Sequence, residues 1–265
     1  MFQNIIIGQY VAGNSVIHQL DPRSKLTATF LFIMIIFLAN NWITYTFLFL
    51  TVLVALFVSK VSPRYIYNGM KPIFFLVIIM FILHTIMTKE GELLLSIGWF
   101  EVYLGGVIKG LFIALRLLLL IMMTTLLTLT TPPITLTDGL ENIFGRLRKI
   151  NVPVHEIALM MSISLRFIPT LLQETEKIMK AQMARGADFA SGPIVSRVKA
   201  IIPLLVPLFM QSFRRAEDLA TAMEARGYRG GEGRTRFREL HWGISDSITV
   251  AMIILVGTLL ILLRS

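Results

Sequence analysis

Residues 26–60 read LTATFLFIMIIFLANNWITYTFLFLTVLVALFVSK, and their length decides the kind of chain this is. Drawn as one straight helix the stretch would extend about 50 Å, well beyond the roughly 30 Å hydrocarbon core of a bilayer. It has to double back. Asn40 and Asn41 supply the polar turn, and Trp42 stands where an interfacial aromatic belongs. Upstream, Asp21 and Pro22 provide an N-cap and a first-turn proline. The pattern predicts one helix from about Pro22 to Asn40 and a second from about Trp42 to Lys60. Pro72 to Thr88 reads as a third, Gly105 to Thr131 as a fourth stopped by Pro132 and Pro133, and Ile244 to Leu263 as a fifth.

Composition points the same way. Hydrophobic residues make up 55% of the chain and charged residues only 15%, a balance suited to lipid rather than water. Barrel strands would alternate over about ten residues, so the continuous apolar runs imply helices, which satisfy their own backbone hydrogen bonds. With no cysteine there is no disulfide frame and no thiolate metal site. The start, MFQNIIIGQYVAGNS, lacks the basic flank and long apolar core of a signal peptide, so no cleaved segment is expected.

Lysine and arginine set the orientation. Arg23 and Lys25 precede the first helix; Lys60, Arg64 and Lys71 lie between the second and third; sixteen more fall between the fourth and fifth. The turn at Asn40 has none, and the acidic loop with Glu90, Glu92 and Glu101 has only Lys89. The positive-inside rule therefore puts the N-terminus and the long 132–243 segment in the cytoplasm of a bacterial cell membrane protein, and a cysteine placed at Asp188 would report on this. The net charge of +9 belongs to these inner loops, so no nucleic-acid partner is inferred. The expected divisions are a cytoplasmic N-terminal segment at 1–21, four membrane helices within 22–133, a cytoplasmic domain at 134–243 and a last membrane helix at 244–265. The fold class is thus an all-α integral membrane protein with about five spans and a cytoplasmic domain of one short and two long, crossing, amphipathic helices.

Within that domain, Asp138 to Glu141 has capping-box spacing and opens a short helix ending at Arg146, Arg148 and Lys149. One long helical pattern runs from Pro153 to about Arg185 and another from Pro193 to about Arg226, interrupted at Pro203 and Pro207. The two share a frame forty-one positions apart: Glu176, Ile178, Ala181, Ala184, Arg185 and Gly186 match Glu217, Leu219, Ala222, Ala225, Arg226 and Gly227. Alanines three apart keep one helical face thin enough for close approach. Glycine suits the left-handed residue that closes a helix, exposing the last carbonyls. The arginine before it stands at the tip of a rod with a fork of donors suited to a carboxylate. Two such ends call for two matching sockets, as on a twofold partner.

The strings GQYVAGNSVIHQLDPRSKL (8–26), SLRFIPTLLQE (164–174) and RRAEDLATAMEARGYRG (214–230), with both Ala-Arg-Gly ends, resemble the T component family, EcfT, of energy-coupling factor transporters. The resemblance covers nearly the whole chain. It implies an importer of vitamins or other micronutrients, made of two cytoplasmic ABC-type ATPases (EcfA and EcfA′), a membrane S component that binds substrate, and this scaffold between them. It implies that Ala184, Arg185 and Gly186 dock into one ATPase and Ala225, Arg226 and Gly227 into the other. The apolar faces carrying Met160, Met161, Leu165, Leu204, Leu208 and Met210 would meet the S component, methionine suiting a surface that repacks. The chain itself would bind no cofactor, ATP and Mg being used by the ATPases.

No Gly-x-x-x-x-Gly-Lys-Ser/Thr loop is present to cradle phosphates, His18, His84, His155 and His241 are scattered, and no serine sits in a nucleophile elbow. The chain is therefore read as non-catalytic. Inside the fourth helix, Lys109 is near enough to an interface to snorkel, Arg116 is assigned to pairing with carbonyls or a neighbouring helix, and Gly106 and Gly110 form a small-xxx-small pair. The Gly-rich tail 227–233 with Arg234, Arg236 and Arg238 forms a basic return to the last helix, close to lipid headgroups or in solvent. The alternative is a self-contained secondary transporter or channel, with 157–172 and 201–213 as extra spans. It would carry Lys177, Lys180, Arg185, Arg197 and Lys199 to the outside, against the charge rule. A lipid-modifying membrane enzyme lacks any convergent catalytic set.

Overall fold

The computed structural model describes residues 10–97, 100–150, 152–187, 189, 193–230 and 239–263. Asp188 and the tail arginines Arg234, Arg236 and Arg238 lie outside the described residues. In chain order the elements are α1 (Val16–Gln19), α2 (Pro22–Ile36), α3 (Trp42–Ser59), α4 (Pro63–Met87), β1 (Leu93–Ile97), β2 (Phe100–Tyr103), α5 (Leu104–Thr130), α6 (Pro133–Phe144), a 3-10 turn (Gly145–Ile150), α7 (Val154–Ala184), α8 (Ile194–Ala225) and α9 (Ile244–Leu262). The architecture is all-α apart from one antiparallel hairpin among the described residues. Five helices are long and apolar enough to cross a membrane, namely α3, α4, α5, α7 and α9, with α7 the least apolar of them. Among the described residues the chain divides into two compact units, one within 144–238 and one formed by 8–143 with 239–265.

The larger unit is built around α2. Ala28, Phe32, Ile35 and Ile36 of α2 share one buried cluster with Tyr45, Leu48 and Val52 of α3, Leu119 and Met122 of α5, and Ile253, Val256 and Leu260 of α9. Helix α4 adds no buried residue to that cluster, touching it through the partly buried Met70, and leans on α5, where small residues let the two backbones touch. A methyl group added at Gly106 would fall 2.7 Å from the Thr88 carbonyl oxygen and 2.8 Å from that of Thr85, and one at Gly110 would fall 3.1 Å from that of Phe81. Such contact is what holds helices together where lipid removes the hydrophobic drive. The opposite face of α4, with Phe75, Leu76, Ile78 and Ile82, is exposed, as a face bathed in lipid is.

Several boundaries differ from the expected ones, each for a local reason. Helix α2 stops at Ile36 rather than Asn40: the Leu38 and Ala39 amides bond back to the Ile35 and Ile36 carbonyls at 2.9 and 3.3 Å, tightening the end into an i to i+3 turn. Its fifteen residues cover about 22 Å, short of a full bilayer crossing. Helix α4 starts at Pro63, not Pro72, because Pro63 takes the first-turn place that tolerates a missing amide, and Pro72 is carried inside. By the same rule Pro133 starts α6, so Asp138 lies in mid-helix and is not a cap. Pro203 and Pro207 do not interrupt α8, which runs unbroken past both. The acidic loop contains the β1–β2 hairpin, an element not among those expected.

Polar ties bind the helix ends. The amide of Asn41 donates to Thr44 Oγ1 at 3.0 Å, starting α3 at the expected turn. Asp21 caps α2 by accepting from the Arg23 amide at 2.8 Å. Asp246, buried in the first turn of α9, accepts from the Asp21 amide at 2.8 Å, the Ser24 hydroxyl at 2.5 Å and the Gly243 amide at 2.8 Å. Lys25 Nζ donates to the His18 and Thr130 carbonyls, both at 3.1 Å, and to Thr131 Oγ1 at 3.2 Å, closing the C-terminus of α5 with a cation. The string 10–25 is therefore a polar wedge that fastens α2, α5 and α9 at one end.

Arg116 has the structural role assigned to it. Its Nη2 donates to the Ala39 carbonyl at 3.1 Å, and its guanidinium carbon lies 5.3 Å from the Phe37 ring centroid. It thereby occupies an acceptor left over by the early end of α2. Lys109 reaches past the end of the apolar core to Glu90 at 2.5 Å.

Candidate functional site

The smaller unit holds the two long helices that end in Ala-Arg-Gly. Both ends close in the same way. Arg185 is the C-cap of α7 with φ −90° and ψ 7°, and Arg226 is the C-cap of α8 with φ −87° and ψ 7°. The following glycines, Gly186 and Gly227, are left-handed at φ +88° and +75°. The Gly186 amide donates to the Met183 carbonyl and the Ala187 amide to that of Gln182, both at 3.0 Å. In the second copy, Gly227 donates to Glu224 at 2.8 Å and Tyr228 to Met223 at 3.0 Å. These are paired Schellman closures.

One expectation changes here. The carbonyls of Gln182, Met183, Met223 and Glu224 are taken by the closures, so they are not what the tips present. What each tip offers is a guanidinium. Ala184, Arg185, Gly186, Ala225, Arg226 and Gly227 are all exposed. Ala181 and Ala222 are exposed as well, leaving a thin face of small side chains beside each cation.

An ion pair absent from the sequence reading joins the rods. Arg215 of α8 donates to Glu174 of α7, and the two side chains are mostly shielded, at 31% and 17% exposure. Glu174 and Arg215 are themselves forty-one positions apart, so the contact joins equivalent places in the repeat. Extending the shared frame two residues upstream of Glu176 and Glu217 would have revealed two opposite charges. Beside the pair, Ile163, Phe167 and Leu171 of α7 face Ala216, Leu219 and Met223 of α8 across a cavity of about 290 Å³. The α7 lining residues all precede Glu174, whereas those of α8, Ser212 apart, lie at or beyond Arg215. The helices thus pass one another in opposite senses, and the two arginine tips leave on opposite sides of the contact. Glu176 is held to Lys180 one turn later at 2.8 Å.

The apolar candidates are split. Met160, Met161 and Met210 are exposed, at 59%, 43% and 53%, whereas Leu165, Leu204 and Leu208 are half-buried. On α8 the exposed face continues through Ile202, Leu205, Phe209 and Phe213, with the two phenyl rings 4.6 Å apart. An uncovered apolar strip on a helix that also carries a row of charges is an interaction surface by ordinary standards. Among the described residues no group of three or more histidine, aspartate or glutamate side chains could hold a metal ion.

Residues 13–237 match the family model described as CbiQ, cobalt transport protein. The chain is 55% identical over 265 residues to the energy-coupling factor transporter transmembrane protein EcfT of Bacillus subtilis (strain 168), covering all of both chains. It is 53% identical to the EcfT protein of Listeria innocua serovar 6a over the same full span. To that of Lactococcus lactis subsp. cremoris it is 48% identical over 98% of each chain.

Proposed function

We propose, on the premise that this chain belongs to the CbiQ/EcfT family of energy-coupling factor transporter transmembrane proteins, that it is the coupling scaffold between two ABC-type ATPases and a substrate-binding S component. The observation that carries the reading is the pair of helix ends with the same backbone closure, each presenting one exposed arginine. One such end is an ordinary way to finish a helix; two with matched torsions suit two related sockets. The N-terminus and the 144–238 unit face the cytoplasm in this reading, since the lysines and arginines gather there.

Each ATPase holds one tip. ATP binding draws the pair together and release parts them, so the angle at which α7 crosses α8 changes. The exposed strip with Met160, Met161 and Met210, together with Leu165, Leu204 and Leu208, meets the S component and passes the change on. ATP and Mg belong to the ATPases, and the substrate is a vitamin or other micronutrient carried by the S component.

The test is co-purification. Arg185→Glu with Arg226→Glu is expected to remove both ATPases while the chain stays in the membrane; intact complexes from the double variant would overturn the docking role. A self-contained carrier is the competing reading, favoured by the length and apolarity of α7. The purified chain alone in liposomes separates the two: solute uptake without any ATPase would establish the carrier.

A further inference from the structure

The chain leaves the larger unit after Ile143 and re-enters it at Glu239. One side chain holds both places. Arg23, in the first turn of α2, donates from Nη1 to Asn142 Oδ1 at 3.2 Å, one residue before the exit. From Nη2 it donates to the Leu240 carbonyl at 3.2 Å, one residue after the return, and its guanidinium carbon lies 5.6 Å from the Trp242 ring centroid. The fork is aimed by Asp21, which accepts from Nε at 3.0 Å and from Nη2 at 2.9 Å. Asp21 is in turn fixed by the hydrogen bond its backbone amide donates to the buried Asp246 carboxylate of α9. Four donors in one plane, directed to a carboxylate, an amide oxygen and a carbonyl while one face meets an indole, make a set that only a guanidinium completes.

We infer that Arg23 is a positioning residue that ties the exit and the return of the 144–238 segment into a single base, so that movement of that segment is delivered to α2 and α9 instead of being lost as its two roots swing apart. The tie itself stands on the contacts above. Its consequence for uptake rests on the coupling function proposed in the previous section. A lone anchor at one junction would leave the other free to hinge; the double hold is what makes the base rigid. Lysine at this place would keep the charge and lose the geometry.

The native chain has no cysteine, so a pair introduced at Ile143 and Glu239, both exposed, can carry spin labels without background. Pulsed EPR distances are measured in the assembled complex in lipid, with Arg23 intact and with Arg23→Lys, Arg23→Met and Asn142→Ala. One narrow distance is expected with Arg23, and broad distributions with Arg23→Lys and Arg23→Met. For Asn142→Ala, which breaks one arm only, intermediate width is expected. In the same variants the ATPases should still co-purify and hydrolyse ATP, while solute taken up per ATP falls about tenfold, within the range by which coupling residues act at a distance. An unchanged distance distribution in Arg23→Met overturns the tie whatever happens to transport. Broadened distances with unchanged uptake per ATP overturn the positioning role. If the chain proves to carry solute without ATPases, the coupling function fails, and the distance measurement still decides the tie. Should Arg23→Met fail to reach the membrane, Arg23→Lys and Asn142→Ala carry the test.

Discussion

Gly186 and Gly227 are needed for their torsions and not for room, since a methyl group at either would meet nothing within 4 Å. Alanine at each should cost about 1 to 2 kcal/mol of backbone strain, released by fraying the last turn. The expected outcome for Gly186→Ala with Gly227→Ala is faster tryptic cleavage after Arg185 and Arg226, with the thermal midpoint of the larger unit unmoved. Arg116 belongs to a different class. Replacing it by methionine strands the Ala39 carbonyl in an apolar setting, and about 1 to 3 kcal/mol of stability should go with it, read as an earlier unfolding midpoint in detergent. The tips were legible in the sequence because an Ala-Arg-Gly pattern carries its own local closure. The acceptor for Arg116 was not, because it exists only where α2 stops short, and that depends on two amides turning back at Leu38 and Ala39. The contacts of Arg23 with Leu240 and of Asp246 with Asp21 were hidden for a related reason: each joins residues more than two hundred positions apart along the chain.

Between elements, the tightest contact is α4 against α5, and Gly106→Leu should disrupt it, since even a methyl group there meets two backbone carbonyls. Loss of the folded protein on size-exclusion chromatography is the expected result, with Gly110→Ala milder because its nearest contacts are at 3.1 Å. Glu174 and Arg215 set the meeting point of α7 and α8. Glu174→Arg or Arg215→Glu alone should cost about 1 to 3 kcal/mol, below the cost of breaking a fully buried pair because the arginine is part-exposed, and the double swap should recover much of it. In the β1–β2 hairpin, hydrogen bonds from Lys89 and then Tyr103 hold the Glu101 carboxyl below its ordinary value of 4.5. A depressed carboxyl stabilises the fold above its unfolded value and ceases to do so as pH falls through the folded one. The hairpin should accordingly be insensitive to pH from neutrality down to the carboxylate range, as Lys89→Ala and parent compared by circular dichroism across that range would show. Helix existence was legible throughout from apolar runs and charge. Two helix starts were not: Pro63 and Pro72 both offer a first-turn proline for α4 and the upstream one takes it, and Pro133 begins α6 ahead of the cap expected at Asp138.

For the molecule as a whole, the family and the membrane-spanning character were readable from composition and from ordered strings, and the gathering of lysine and arginine marked 134–243 as a region apart, though not the places, after Ile143 and before Glu239, where the compact units divide. If the coupling function holds, reversing one tip arginine should leave partial assembly and reversing both should leave none, measured as ATPase recovered per chain. The meeting point of the rods carries one more implication. Arg185 follows Glu174 by eleven positions and Arg226 follows Arg215 by the same eleven, so each arm reaches about 16 Å beyond the shared pair. A seesaw balanced at its middle responds alike to a weight on either seat. In the coupling function proposed above, a difference in how the two ATPases are felt falls to unlike neighbours of the seats, among them Ala187 against Tyr228 and Met183 against Glu224, and exchanging those residues between arms should make the left and right halves trade places.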